Sequence, residues 1–190
     1  VWAFENDLIK KLTPLVTDEI KTLTAFKKEV SPNESQTFES WDFAYYSKKM
    51  LNAKYQLDND EVKKYFEMNA TLNGMFKVYE TVLGIQIKPA TNMPVWDSKV
   101  KTYEIFENGE FKALLYADYF PRKGKRAGAW MTSFKNQFKK NDENSRPHIS
   151  VVCNFSKPTA DTPSLLTFQE VTTLFHEFGH ALHGILANTT

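Results

Sequence analysis

Cys153 is the only thiol among the 190 residues. That excludes an internal disulfide framework and a zinc site built from thiolates of this chain alone. It also fits a reducing compartment. Glycine is scarce, at seven residues, and beside long apolar-periodic segments this scarcity points towards helix. The net charge is only +1, so no global field draws in nucleic acid or acidic lipid. No apolar run approaches the roughly 20 residues of a membrane span. No signal peptide is visible, but Val1-Trp2-Ala3-Phe4 lacks an initiator Met. The true N-terminus is therefore expected to lie upstream, and the missing leader excludes nothing. The cytoplasm is the expected compartment, with the periplasm open as the alternative.

Aromatic side chains, by contrast, are plentiful: 15 Phe, 8 Tyr and 4 Trp, enough to fill a core or line a cleft. The first half reads as helices. Thr13-Pro14 looks like an N-cap followed by proline at the first helical position, and Leu15, Ile20, Leu23 and Phe26 follow at helical spacing up to Ser31-Pro32. A second helix is predicted from about Ser40 to Tyr55, with Trp41, Tyr45, Met50 and Leu51 as core contacts. A third helical stretch begins at Asp58-Asn59-Asp60 and runs to Gly84, through Leu72, Met75 and Phe76. All three stripes read as core packing. The period then changes. Thr102–Phe106 and Glu110–Phe120 flank Asn108-Gly109, a two-residue hairpin signal because both residues tolerate positive φ. Pro121–Arg126 reads as a solvated basic loop, Asn141–Arg146 as a polar loop, and His148–Phe155 as another strand. The last element is a helix from Thr167 to about Ala187, opened by the capping-box spacing Thr167-Phe168-Gln169-Glu170.

Three of the four histidines lie within eight residues on that helix. His176 and His180 are four apart, about 6 Å along the axis and about 40° around it. Two imidazoles at that separation can bind one Zn²⁺ at about 2.0–2.1 Å. Glu177, rotated about 100° from His176, stands beside the metal, where its carboxylate can take a proton from activated water and return it to a leaving amine. This is the physical content of His-Glu-x-x-His on a helix. His183 shares the face but is two turns from His176. It reads equally as a residue supporting the site and as plain packing. No Asp, Glu, His or Cys other than His183 follows His180, so the third ligand is not found on this helix.

The segment Phe175-His176-Glu177-Phe178-Gly179-His180-Ala181-Leu182-His183-Gly184 resembles the signature of the zinc peptidases that include thimet oligopeptidase, oligopeptidase A and peptidyl-dipeptidase Dcp. Cys153–Pro158, Pro163–Leu166 and Asp118–Met131 extend the likeness, the last in the form found in the Dcp branch, with Ala127 where that branch usually has Gly. The resemblance implies a mainly α fold with a small antiparallel β-sheet, part of a zincin-like helical catalytic domain. Within it, residues 1–100 form a helical region, 101–160 a small β region and 161–190 the zinc-binding helix. It implies Zn as cofactor, with His176 and His180 as ligands and Glu177 as the general base. The implied reaction is peptide-bond hydrolysis in short peptides, with release of C-terminal dipeptides. Family members are several times longer, so the chain is expected to be an internal segment lacking both ends, inactive alone. The third ligand, a Glu on a following helix, would lie past its end.

The expected partners are short peptides, with no nucleic acid and no membrane. Self-association is expected of surfaces that normally pack on missing parts. No substrate-binding residue is assigned, although the strand ending at Phe155 and the segment near Gly128-Trp130 are candidates to present an edge to an extended peptide. His148 reads as structural and Cys153 as a buried core thiol. The rival reading is a non-enzymatic helical binding or structural module whose histidines are inert.

Overall fold

In the computed structural model, which describes residues 1–56, 58–141 and 143–189, the chain divides into two compact units, Val1–Asp58 and Asn59–Thr190. The first holds helices α1 (Trp2–Val30) and α2 (Asp42–Tyr55). Helix α1 does not begin at Thr13 but runs through Pro14. An interior proline forfeits a backbone hydrogen bond and costs about 3 kcal/mol. Residues 2–12 contain neither Gly nor Pro, however, and carry the helix on the N-terminal side. The Thr13 hydroxyl donates back to the Ile9 carbonyl instead of capping. The stop is where the sequence puts it, at Ser31 before Pro32, with the Ser31 amide donating to Lys27 O.

The apolar stripes of α1 and α2 are core in part: Leu23 is buried, and Phe26 and Met50 are half-buried. Leu15, Ile20, Trp41, Tyr45 and Leu51 are exposed, and among the described residues Leu23 and Tyr46 are the buried apolar residues of this unit. A stripe states that a face can be buried and says nothing of what covers it. Here the contact centres on a polar knot. The buried Lys27 ammonium donates to Thr37 O and to Asp42 Oδ2 at 2.9 and 2.7 Å, and the Tyr46 hydroxyl donates to Glu34 Oε2.

The second unit opens with a short helix α3 (Asn59–Val62), a 3-10 turn (Lys63–Tyr65) and helix α4 (Met68–Leu83). The single helical stretch expected from Asp58 to Gly84 is thus broken at Phe66-Glu67. The cause is pairing with a distant segment: Leu166 N donates to Phe66 O, and Met68 N donates to Ser164 O. Glu67 then caps α4 by accepting from Ala70 N. At its end Gly84 adopts φ 68°, the left-handed conformation that suits glycine after a helix.

Five strands form one sheet in the order β1-β2-β3-β7-β4: β1 (Ile85–Pro89), β2 (Lys101–Glu107), β3 (Glu110–Asp118), β4 (Trp130–Lys135) and β7 (His148–Val152). Strand β1 lies inside the stretch read as helical. The β2–β3 hairpin turns at Asn108-Gly109, with φ 52° and 81°. The sheet is mixed rather than antiparallel throughout, since β3 and β7 pair in parallel. The segment between them leaves through the basic loop and β4 and returns to the same end of the sheet, so β7 enters in the direction of β3. The polar loop expected at Asn141–Arg146 instead contains β6 (Glu143–Ser145), paired with β5 (Phe138–Lys140) across a turn in which Asn141 has φ 50°. Asp142 lies outside the described residues.

Helices α4 and α5 (Phe168–Ile185) share one buried core with one face of the sheet. It includes Leu72 and Met75 from α4, Ile105 and Leu115 from the sheet, and Leu174 and Phe178 from α5. A smaller cluster of Val100, Leu114 and Tyr116 forms on the other face. No helix among the described residues is long and apolar enough to cross a membrane. Helix α5 lies close against β7 at Gly184, where an added Cβ would stand 2.8 Å from Ile149 Cδ1 and 3.9 Å from Met131 Cε. A branched side chain there must displace the Ile149 side chain or shift α5 from the strand. Gly184→Val is expected to lower unfolding stability by about 1–3 kcal/mol. A urea midpoint equal to that of the unsubstituted chain would show that the helix is not seated so closely.

Candidate metal centre

Helix α5 is held at both ends. At its start the Thr167 hydroxyl accepts from Glu170 N, and Glu170 Oε2 accepts from Thr167 N at 2.8 Å, the capping box that the spacing predicts. At its end Arg146 donates to Ile185 O and Ala187 O at 2.8 and 3.0 Å, while its Nε donates to Lys112 O on β3. These bonds satisfy carbonyls that a helix C-terminus otherwise leaves without partners. Between the two ends Val171, Leu174, Phe178, Ala181, Leu182 and Ile185 are buried, which fixes the rotation of the helix about its axis.

That rotation puts His176, His180 and His183 on the exposed face. The Nε2 atoms of His176 and His180 lie 3.1 Å apart, with the rings at 84°. This span suits an N–H···N hydrogen bond. It also suits two lone pairs meeting at one ion: nitrogens each 2.0–2.1 Å from a zinc and 3.1 Å from one another subtend about 100°, near the tetrahedral angle. The donor set therefore fits zinc as two of its ligands. Among the described residues no third His, Cys, Asp or Glu joins them in a group that could hold a metal ion. His183 makes no hydrogen bond to the pair among those residues.

Glu177 faces inward between the two imidazoles in sequence and is 8% exposed. No hydrogen bond reaches its carboxylate among the described residues. Its charge is felt by Cys153, just past the end of β7: burial first, and the Glu177 carboxylate next, push that thiol up to about 12. Cys153 is thus the inert core thiol that its apolar strand predicts. His148, half-buried on β7, is lowered by burial and by nearby Lys135. Among the described residues strand β4 pairs only with β7 and so forms an edge of the sheet. The strand ending at Phe155 was the other candidate edge, but β7 stops at Val152 and is enclosed between β3 and β4.

The model of peptidase family M3 matches residues 1–190. The chain belongs to peptidase family M3. It is 39% identical over 98% of its length to oligopeptidase A of Salmonella typhimurium, of which it covers 27%. It is 37% identical over 97% to dipeptidyl carboxypeptidase of Escherichia coli, again covering 27%. It is 35% identical over 97% to thimet-like oligopeptidase of Dictyostelium discoideum, covering 29%. The chain therefore spans little more than a quarter of the length of these family M3 relatives.

Several residues that shape this family M3 site carry no local signal in the sequence. Asn154 donates to Arg126 O and Gly128 O at 2.9 and 2.7 Å and so holds the lead into β4. Gly128 there has φ 95°, which favours glycine. The basic loop Pro121–Arg126 is not the solvated turn that its composition predicts. The Lys125 side chain is 3% exposed and donates to Asp118 Oδ1, Asp118 O and Phe120 O. Arg122 Nη1 reaches both Asp118 carboxylate oxygens, and Trp96 Nε1 donates to Oδ2. Only a carboxylate four to seven residues upstream with a cation pair after it hinted at this knot.

Burial alone would raise the Asp118 carboxyl, but the donors from Lys125, Arg122 and Trp96 outweigh it and hold it below its ordinary 3.8. A carboxyl depressed on folding stabilises the fold above its unfolded pKa, and that contribution fades as pH falls through the lower folded value. Asp118→Ala leaves Lys125 buried without its counter-charge and is expected to cost about 3–5 kcal/mol at pH 7. The penalty should shrink as pH falls below about 3.8 towards the lower folded value, where the native carboxyl itself takes up a proton. Denaturant titrations at pH 7 and pH 3 check both parts.

Proposed function

We propose that the chain is part of the catalytic domain of a zinc-dependent peptidase that hydrolyses short peptides. The observation that carries the reading is the convergence of His176 Nε2 and His180 Nε2, 3.1 Å apart, beside a buried carboxylate with no other commitment. Zinc, when bound, would polarise the scissile carbonyl and acidify water. His176 and His180 would hold it through neutral imidazole nitrogens. Glu177 would accept a proton from the water whose oxygen attacks the carbonyl carbon. As the C–N bond breaks, it would give that proton to the departing amine nitrogen, so the reaction consumes one water and leaves Glu177 as it began. The third zinc ligand is assigned to a segment outside residues 1–190, which makes this chain inactive by itself.

The edge strand β4 offers unpaired backbone groups beside α5, and a peptide extended along it would add as a further strand, with little demand on its sequence. Release of C-terminal dipeptides is proposed on the likeness to dipeptidyl carboxypeptidase and on Asp118–Met131. Cytoplasmic peptides are the proposed substrates, with no role for nucleic acid or membrane. The exposed apolar residues of α1, among them Trp2, Ile9 and Leu15, favour self-association of this chain when it stands alone.

In the full-length protein Glu177→Ala is expected to retain zinc and lose peptidase activity by a factor of 10² or more, whereas His176→Ala loses both. Metal analysis paired with a chelator-sensitive peptide assay reads the two outcomes. Near-normal turnover in Glu177→Ala would sink the assigned mechanism. N-methylation of a substrate amide that pairs with β4 should weaken binding about tenfold; affinity that is unchanged for every N-methylated position removes the edge reading.

A further inference from the structure

Side chains of β4 alternate between the two faces of the sheet. Met131 packs into the core shared with α5. Trp130, Thr132 and Phe134 point to the opposite face, where they line a pocket of about 270 Å³ with Trp96, Arg126 and Ser150. A second pocket, of about 300 Å³, lies beside α5 at the lead into the same strand, against Gly128, Ala129, Asn154 and Thr173. Thr173 is one turn before His176 and Glu177 on α5, so that second pocket adjoins the proposed centre. The two pockets follow one another along the segment Gly128–Phe134, the first beside α5 and the second on the far face of β4.

An extended peptide laid along an edge sends successive side chains to opposite faces. Neighbouring residues of such a peptide would therefore enter the two pockets in turn. We propose that the pocket on the far face of β4 is a side-chain subsite that selects tyrosine or phenylalanine over lysine or arginine. This rests on the peptidase reading above and concerns which peptides it takes.

The chemistry of the lining carries the selection. Trp96, Tyr116 and Phe134 pack against one another with centroids 5.5 to 5.7 Å apart, which gives a stiff aromatic wall. Trp96 is further fixed by its bond to Asp118. Trp96 and Phe134 remain exposed, although they are large and apolar. The Arg126 guanidinium lies 4.5 Å from the Trp130 ring centroid and has no ion-pair partner among the described residues. Around the pocket three cations, Arg122, Lys125 and Arg126, face two carboxylates, Asp118 and Asp97. The surplus positive charge disfavours a basic side chain, while an aromatic ring can stack on the wall and on the guanidinium. At the floor the Ser150 hydroxyl is buried and has no hydrogen-bond partner among the described residues. A phenol supplies that partner, and a benzyl ring does not.

The test uses the zinc-loaded full-length protein and a peptide series in which each position in turn is Tyr, Phe, Ala or Lys. One position is expected to favour Tyr over Lys by about tenfold or more in kcat/KM. Arg126→Glu should lower that ratio about tenfold, and Phe134→Ala should lower the Tyr-over-Ala ratio at the same position about fivefold. Each ratio is internal to one variant, so a uniform loss of activity or partial misfolding cancels. Thr173→Trp, which fills the pocket beside α5, should change selectivity at a position an odd number of residues away. Three results overturn the inference while the peptidase reading stands: ratios within about twofold of the parent in both far-face variants, an effect spread evenly over all positions, or an even separation between the two affected positions. Absence of zinc-dependent hydrolysis by the parent protein removes the peptidase reading, and the subsite with it.

Discussion

The seating of α5 on β7 is the constraint from which the site follows. Gly184 lets the helix backbone come within one methyl group of Ile149, and the apolar run from Val171 to Ile185 is buried along one face. With 3.6 residues per turn, burying that face leaves no freedom in where the others point. His176 and His180 must look outward together, and Glu177 must fall at the margin of the buried face. A rotation of the helix by a single residue, about 100°, would bury an imidazole and expose Phe178. The capping box at Thr167 and the Arg146 clamp at Ile185 and Ala187 add the axial restraint, so the helix can neither turn nor slide.

The sheet contributes the second coordinate. Because β7 returns parallel to β3 and β4 then pairs outside it, the strand left at the edge is one that also contacts α5. The free hydrogen-bonding edge and the histidine face thus belong to neighbouring elements of one core. The lead into that edge is held from both sides in sequence. Asn154 binds the carbonyls of Arg126 and Gly128, and Asp118 gathers Arg122, Lys125 and Trp96 a few residues earlier. The basic loop is therefore part of the scaffold of the edge, with Arg122 and Lys125 committed to Asp118.

What was legible in the sequence was what short-range chemistry decides. The Thr167–Glu170 box, the helical period through Ile185, the Asn108-Gly109 hairpin and the inert setting of Cys153 each depend on a few adjacent residues. The parts that were not legible are settled by distant partners. Phe66-Glu67 breaks a helical stretch because Ser164 and Leu166 bond there. The parallel β3–β7 pair is a fact of the path between the strands, which no residue in either strand records. Lys125 is buried because Asp118 waits beneath it, and composition alone makes it a surface lysine. The stripes of α1 and α2 state an apolar face correctly, but a stripe cannot say whether the covering surface belongs to the same unit.

Two buried carboxylates of the second unit show how differently this chain treats the same group. Asp118 accepts from two cations and an indole, and its cost of burial is met within hydrogen-bonding distance. Glu177 is nearly as buried and accepts from nothing among the described residues. A buried carboxylate without donors is unfavourable. Stability gives no reason to keep such a group on a helix whose other inward positions are Leu174, Phe178 and Ala181. Under the peptidase reading proposed above its position between two outward imidazoles does, because a carboxylate left without fixed partners could take and return a proton.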